Sequence, residues 1–541
     1  MSSDDTEKGE RACGSETDPL LGKRKPGVLL QIWPWLNNLN IEFGSELLSL
    51  LFVTEHLNKG FAYTMQGNAE PYLYKIFNVP APQVQIFESL TSLPWAAKPM
   101  IGLVSDMFPL GGFNKSPYLL IYSVLGVVGF VALGVLPYRA FPIIFFVLLL
   151  VCVNLQESAG DTLSEAKYAA EIMKKPLHGP DMLTYVWFGL TFAGLVATVV
   201  SGCMLKYWGP RSVFLVCIPF AAAAFWPALM GYFGERQRTE EETKEVRRKI
   251  GNQWEACFLS VVVFSCSLLL MIVGCITQSP VINSAVSLFV SVIMLLSFSV
   301  LLSPVIARLN AFIFLDMALS FDISGATFYF YTDSPAEYPD GPHFSPFFYT
   351  TVLGVVGSVF SLVGIYCYNR FTSDLTYRNL MITVNCVGSA FNVLDVIMFA
   401  RLNLKWGIPD DYMVLGASIS GDIFYYWSWM PLVVVLSHLC PPDMEATTYA
   451  LLAGSANLGE TVADNFGSLL LQVLQCEPSG SLGESAQFKN LWLAAVITTI
   501  LPLVEIIGLI WLVPNARQNE KIPMDSDRDI TSGSLWKRLT K

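Results

Sequence analysis

Charge is scarce in this sequence. Of 541 residues only 14% are Asp, Glu, Lys or Arg, against 53% hydrophobic, and the mean hydropathy is +0.49. A water-soluble domain carries about a quarter charged residues, so the deficit excludes a chain folded wholly in water. Histidine is nearly missing as well: His56, His178, His343 and His438 stand far apart, and no His/Cys/carboxylate cluster has metal-ligand spacing. There is no G-x-x-x-x-G-K-[ST] phosphate loop and no soluble segment large enough to house one, which argues against an ATP-driven pump. Enzyme chemistry is unsupported, and no metal, cofactor or nucleic-acid partner is expected. Of eleven cysteines only Cys476 falls in an outer loop, so no disulfide framework is expected. The N-terminal tail is acidic and lacks the apolar h-region of a cleaved signal peptide.

Long apolar runs are what the sequence has instead. A bilayer core of ~30 Å needs roughly 20 apolar residues per helix, and such runs follow one another from Leu47 to Leu512. They predict an all-α polytopic membrane protein. Six spans are expected in the first half, at 41–65, 84–104, 118–136, 141–160, 182–205 and 213–233. A charged segment, GERQRTEEETKEVRRKIGNQ at 234–253, is too polar to span and reads as a hinge. Two further runs, 258–276 and 281–302, precede six more at 311–331, 347–368, 380–400, 413–438, 446–474 and 491–512. The count is fourteen, with twelve as the alternative if the middle pair does not cross. The corresponding organisation is a tail (1–40), a six-helix half (41–233), the charged loop (234–253), an extra helix pair (254–303), a second six-helix half (304–514) and a C-terminal tail (515–541).

Lys and Arg in short loops favour the cytoplasmic side. With the N-terminus inside, 25 of the 33 basic residues fall inside, so both termini are expected in the cytoplasm. Glu16 to Leu21 has an acidic-dileucine form used in endosomal sorting, although a merely solvated tail explains it equally; the plasma membrane is the expected location and an intracellular membrane the alternative. Asn114-Lys115-Ser116 fits a glycosylation sequon but precedes Pro117 on the inner side, and is discounted. Two halves around a charged loop suggest a carrier, with its site between the halves near midplane. A single chain is the expected assembly, working in a lipid bilayer.

Between the second and third spans, Gly102-x-x-x-Asp106 is followed by a Pro/Gly turn and a basic residue. This is a variant of the signature of major facilitator carriers. Gly102 admits a close helix neighbour and Asp106 can meet a cation or a helix N-terminus. Lys98, Gly102, Asp106 and Lys115 are therefore candidate parts of a gating latch. The fuller pattern is Pro94-Trp95-x-x-Lys98-Pro99-x-x-Gly102-Leu103-x-Ser105-Asp106-x-x-Pro109-x-x-Gly112-x-x-Lys115-x-Pro117-Tyr118. Further on come Gly325 to Asp333 (GATFYFYTD), Tyr338-Pro339-x-Gly341-Pro342-His343-Phe344-Ser345, Gly407-Ile408-Pro409-Asp410 and Glu445-Ala446-Thr447-x-Tyr449-Ala450-Leu451-Leu452-Ala453-Gly454. Together these resemble the folate-biopterin transporter family of the major facilitator superfamily, and most of all the kinetoplastid pteridine and folate carriers. The resemblance covers nearly everything between the tails. It implies a major facilitator fold and proton-coupled import of a small molecule. Members carry folates, unconjugated pterins, S-adenosylmethionine or pyruvate, so it leaves the cargo open.

Ionisable residues within spans cost ~2.5 to 3.5 kcal/mol each on insertion scales and need a partner or a task. Glu55 and Lys59 lie four apart in the first span, either as a cargo-binding pair or as a neutralised packing pair. Glu157, Asp161 and Glu165 form an acidic line on the fourth span, able to hold a proton or simply solvated at the cytoplasmic end. Asn385, Asn392 and Asp395 share one helical face, and Asn457, Glu460 and Asp464 another. Glu460 and Asp464, a like-charge pair one turn apart, are the preferred proton-coupling site, with Asp161 and Asp395 as further candidates and a hydrogen-bonded helix interface as the alternative. A pterin presents an amino group and a ring N–H to one carboxylate, and its flat faces suit aromatic stacking. Asp422, Tyr426 and Trp429 follow one face of a later span, and Asp316 and Asp322 precede the aromatic run from Phe328 to Tyr331. Asp322, Asp422, Tyr426 and Trp429 are candidate substrate contacts. Lys59 and Arg401 are candidate cations for a folate tail.

Overall fold

The computed structural model describes residues 28–372, 375–439, 445–513, 515–517 and 530–540. The acidic-dileucine stretch lies outside these residues. The chain divides into two compact units, Met1–Gly44 and Ser45–Lys541. The described part of the first is one helix, α1 (Val28–Phe43).

The second unit is helical throughout, and two isolated bridges are the only β-pairing among the described residues. Helix α2 consists of three consecutive pieces, Ser45–Leu51, a π-helical Phe52–Tyr63 and Thr64–Ile76. Helix α3 has two, Ala81–Ala96 and Lys98–Met107, meeting at Ala97 just before Pro99. Then come α4 (Ser116–Val135), α5 (Ile143–Lys174), α6 (Gly179–Tyr207) and α7, formed by Pro210–Ala223 and Phe225–Leu229. The polar segment folds into α8 (Glu240–Gly251), opened by a Thr239/Glu242 capping box with acids in its first turn and bases in its last. The extra pair is α9 (Trp254–Ile276) and α10 (Pro280–Leu301). The second half comprises α11 (Pro304–Leu319), α12 (Ser324–Thr332), α13 (Phe347–Val352 continued by Leu353–Phe371), α14 (Tyr377–Phe399), α15 (Asp410–Leu439), α16 (Glu445–Val473) and α17 (Leu491–Leu512). A short α18 (Leu535–Leu539) follows.

Ten helical stretches among the described residues are long and apolar enough to cross a membrane. They include both members of the extra pair, and α11 with α12 counts as one. Other long helices, among them α2, α3 and α16, are richer in polar side chains, and these carry most of the site described below. The expected span at 311–331 is in fact broken: α11 stops at Leu319 and α12 starts at Ser324.

The halves meet along two seams. At one, α3 packs on α16, with Ser468 Oγ donating to Pro82 O (2.6 Å) and Asn457 Nδ2 to Trp95 O (3.0 Å). At the other, α6 meets α13, where Thr351 Oγ1 donates to Thr198 O (3.1 Å). A Cβ on Gly202 would lie 2.0 Å from that hydroxyl, so glycine permits the approach. The extra pair straddles the first seam. Helix α9 touches α3 and α16, and α10 touches α16, α11 and α18. The polar segment is a strap rather than a free hinge: Arg238 Nη1 and Arg247 Nε donate to Asp106 O (3.3 Å) and Met107 O (2.9 Å) at the end of α3. Glu235 accepts from Ser116 N and Oγ at the start of α4.

Candidate functional site

Two cavities stand out. One of about 360 Å³ opens beside α8 and is lined by both charge signs, among them Glu235, Arg238 and Lys249; its walls are the strap. The other, about 330 Å³, lies between the halves, bounded by α2, α3, α5, α16 and the α11–α12 break. It is the candidate site because it joins both halves at the seam. Among the described residues five carboxylates line it, Glu70, Glu88, Asp322, Glu460 and Asp464, and no Lys or Arg does.

Each acid is positioned by its local structure. Glu70 accepts from Tyr74 OH (2.6 Å), Thr91 Oγ1 (3.0 Å) and Gln66 Nε2 (2.8 Å), which leaves Gln66 Oε1 buried without a partner. Asp322 sits in the helix break and opens α12: its Oδ1 accepts from Ser324 N and its Oδ2 from Ser324 Oγ, both at 2.8 Å. A break at the site of a carrier exposes backbone and polar groups where a cargo or ion can reach them. It is seated on α16, where a Cβ on Gly467 would come within 1.7 Å of Asp322 O, and Phe321 stacks on Phe466 (5.3 Å between centroids). Glu460 and Asp464 reach the cavity from α16. The whole lining is rich in hydrogen-bond acceptors.

A second cluster adjoins the first through Trp95 and Tyr63, whose rings lie 5.2 Å apart. Trp95 Nε1 donates to Asn154 Oδ1 (3.3 Å), and Tyr63 and Asn154 are cavity residues. Lys59 and Lys98 approach the Trp95 ring at 5.8 and 5.0 Å. Both ammoniums bond Asp161, Lys59 to Oδ1 at 2.6 Å and Lys98 to Oδ2. Glu55 lies 4.0 Å from Lys59 and accepts from Ser164 Oγ. The π-helical piece of α2 carries Glu55, His56 and Lys59, and such irregular turns are frequent at functional sites. Nearby Glu157 is buried, and neither of its oxygens has a partner.

At one end of the bundle a polar clamp joins the halves. Lys75 Nζ, at the end of α2, bonds Asp333 Oδ1 (2.7 Å) and Glu337 Oε2 (3.1 Å) just beyond α12. Tyr329 OH donates to Val79 O (2.7 Å) and Ala81 N to Pro478 O (2.9 Å). Burial pushes the Asp333 carboxyl up to about 6, against the opposing pull of Lys75.

The structure thus gathers the expected residues into groups. Asp322, Glu460 and Asp464 line one cavity, and Glu55, Lys59 and Asp161 share one network. Lys98 joins that network, apart from the rest of the expected latch. Asp106 accepts from Asn114 Nδ2 (2.9 Å), Gly102 faces Thr162, and Lys115 is half-buried at the start of α4, where burial pulls its ammonium below the usual range. Arg401 forms a two-point pair with Asp410 (both contacts 3.0 Å) over the Phe330 ring, away from the cavity lining. Asp395 is likewise absent from that lining and lies toward Tyr331. The side chains of Asp422, Tyr426 and Trp429 lie outside the described residues.

Sequence reasoning missed Glu70, Glu88, Gln66, Ser324 and the placing of Trp95 between the two clusters. Glu70 fell beyond the expected end of the first span, whereas α2 runs on to Ile76. Glu88 met the criterion of an intramembrane acid but is the one acid of the Ala81–Ala96 piece, with no second acid within a few turns to mark it.

Comparison with known proteins agrees with this architecture. The chain is 25% identical over 501 residues to the Arabidopsis thaliana protein named Probable folate-biopterin transporter 2, covering 92% of this chain and 89% of that one. It is 26% identical over 419 residues to the Folate-biopterin transporter of Synechocystis sp., covering 76% and 72%. The crystal structure of the POT family transporter PepTSo superposes with a TM-score of 0.57 at 14% identity, over 86% of this chain and 98% of that one. That likeness shows a major facilitator-type fold. The model of the BT1 family matches residues 59–532. The chain belongs to the BT1 family, whose relatives named above are transporters.

Proposed function

We propose that this protein is a secondary active transporter that imports a pteridine, folate or biopterin, coupled to protons, by alternating access. The observation that carries this reading is the acceptor-lined cavity between the halves. A pterin ring offers an amino group and a ring N–H side by side, which one carboxylate accepts together. Glu70 is already held by three donors, so Asp322, Glu460 and Asp464 are the carboxylates assigned to the ring and to coupling. The adjoining Trp95 face suits stacking, and Lys59 and Lys98 suit the carboxylates of a folate tail, which would displace Asp161. Asp161 has an ammonium on each oxygen and hence no free oxygen for a proton. We therefore assign it an ion-pair switch in place of the proton-carrying role expected from sequence.

The basic-residue asymmetry supports cytoplasmic termini and fourteen spans, with the plasma membrane as the proposed location. The Lys75–Asp333 clamp is then the outer gate. The latch is assigned to Asp106, Asn114 and the strap arginines at the inner ends. A second reading, the same fold carrying S-adenosylmethionine, is favoured by the lack of any cation on the cavity wall. A small organic acid such as pyruvate has no such support. Counterflow of radiolabelled biopterin in liposomes, challenged with unlabelled folate, S-adenosylmethionine and pyruvate, separates them. Inhibition by folate alone supports the pteridine reading. Counterflow of radiolabelled S-adenosylmethionine by protein that exchanges neither biopterin nor folate overturns it.

A further inference from the structure

Ser324 Oγ stands 2.8 Å from Asp322 Oδ2, 2.8 Å from Glu88 Oε2 and 3.0 Å from Gln85 Oε1. A hydroxyl has one proton to donate and two lone pairs to accept with. Asp322 also takes the Ser324 backbone N–H, so its carboxylate claims the hydroxyl proton in an ordinary helix-opening geometry. Glu88 and Gln85 then face a spent donor. Both contacts become hydrogen bonds if Glu88 carries a proton and the Gln85 amide is turned so that its nitrogen faces Ser324. Amide orientation is itself assigned from the bonding network. That turn also gives a partner to Gln85 Nε2, which is fully buried without one.

The surroundings offer Glu88 no cation. The groups that face it are Asp322 at the break, Glu70 and Tyr74 on α2, Asp464 on α16, Tyr329 on α12 and Tyr349 on α13. Helix α5 brings Asn154 to this level, with Glu157 below. The outer part of α9, where Gly274 meets Leu90, carries only the thiols Cys266 and Cys275, and α10 has no titratable group. Two unshared negative charges so close, with no cation beside them, repel strongly. Gln66 Oε1, 1% exposed on the same wall and without a partner, independently marks the cavity as built for something that donates.

We propose that Glu88 is a further proton-binding site beside the coupling carboxylates assigned above, one that ties the two halves together by its carboxyl O–H donating to Ser324 Oγ at the broken helix. Glu88 belongs to α3 in the first half, and Ser324 and Asp322 to the second. The proton thus lies in the interface that alternating access must open. Bound, it ties α3 to the break; lost, it leaves Glu88 and Asp322 to push the halves apart. This role rests on the carrier reading above.

The test is Glu88→Gln, whose amide can still donate to Ser324. In liposomes of purified protein, an inward proton gradient should raise biopterin uptake several-fold in the wild type. In E88Q the ratio of uptake with and without the gradient should fall to one, whatever the absolute rate. In parallel, infrared spectra of the cargo-free protein at neutral pH should contain a protonated-carboxyl C=O stretch, shifted in D2O, that E88Q removes. An unchanged gradient ratio in E88Q, or a carboxyl band unaltered by the substitution, overturns the proposal, as does stimulation by a sodium gradient instead. If the wild type takes up neither biopterin nor folate, the cargo reading fails while the infrared band still decides Glu88.

Discussion

Asp161 shows how far single residues could be understood in advance. Its place on an acidic helical line was visible, but its partners come from α2 and α3, 102 and 63 residues away, and no spacing rule reaches that far. Removing one partner of a buried ion pair costs about 3–5 kcal/mol because the other charge is stranded. Asp161→Asn strands two lysines, although Glu55 still stands by Lys59. We expect a clear fall in the thermal unfolding midpoint in detergent. Adding Lys98→Gln should recover part of that loss, and strict additivity of the two would contradict the pairing. Asp333 gives a pH prediction. Its carboxyl, pushed up to about 6 in the clamp, returns toward the ordinary range near 4 when water reaches it. The closed clamp therefore holds its proton more tightly than the open one. Acidification through pH 6 should favour closure, an effect fully present below about 4 and lost as pH rises through 6. Labelling of a cysteine placed at Asn78, beside the clamp, should slow between pH 7 and 5, and Asp333→Asn should flatten the response.

At the scale of elements, most helices were legible because an apolar run long enough to span has few other options. The expected last span, 491–512, coincides with α17. The α11–α12 break was not legible, since Leu319 to Ile323 contains neither proline nor glycine. Its only local sign is Asp322 two residues before Ser324, a helix-opening pattern inside what looked like one apolar run. In the fold, α16 approaches the break closely at Gly467. Gly467→Ala places a methyl group on Asp322 O, so α16 must move away from the break. We expect transport to fall at least about tenfold, since a displacement of ~1 Å at a site can cost 10²-fold, with the protein still folded by size-exclusion chromatography. Gly508→Ala on α17, where a Cβ meets only Leu512 at 3.6 Å, should be silent. Equal effects would show that the packing at Gly467 is not special.

For the whole molecule, the all-helical, membrane-spanning architecture followed from hydropathy, and the family followed from motifs spread along the chain. The site between the halves did not, because it is assembled from α2, α3, α5, α16 and the break. Only Asp322, Glu460 and Asp464 of its five acids were anticipated. Nor does hydropathy reveal that α9 and α10 lie across a seam that a rocking carrier must flex. The central claim is that the acidic cavity carries a pteridine with a proton. The most direct test is uptake of radiolabelled biopterin and folate into liposomes holding the purified protein, with and without an inward proton gradient, alongside Asp464→Asn. The account predicts gradient-stimulated uptake of at least one of the two by the wild type, and uptake uncoupled from the gradient in a folded D464N. A folded, correctly inserted wild type that takes up neither would contradict it.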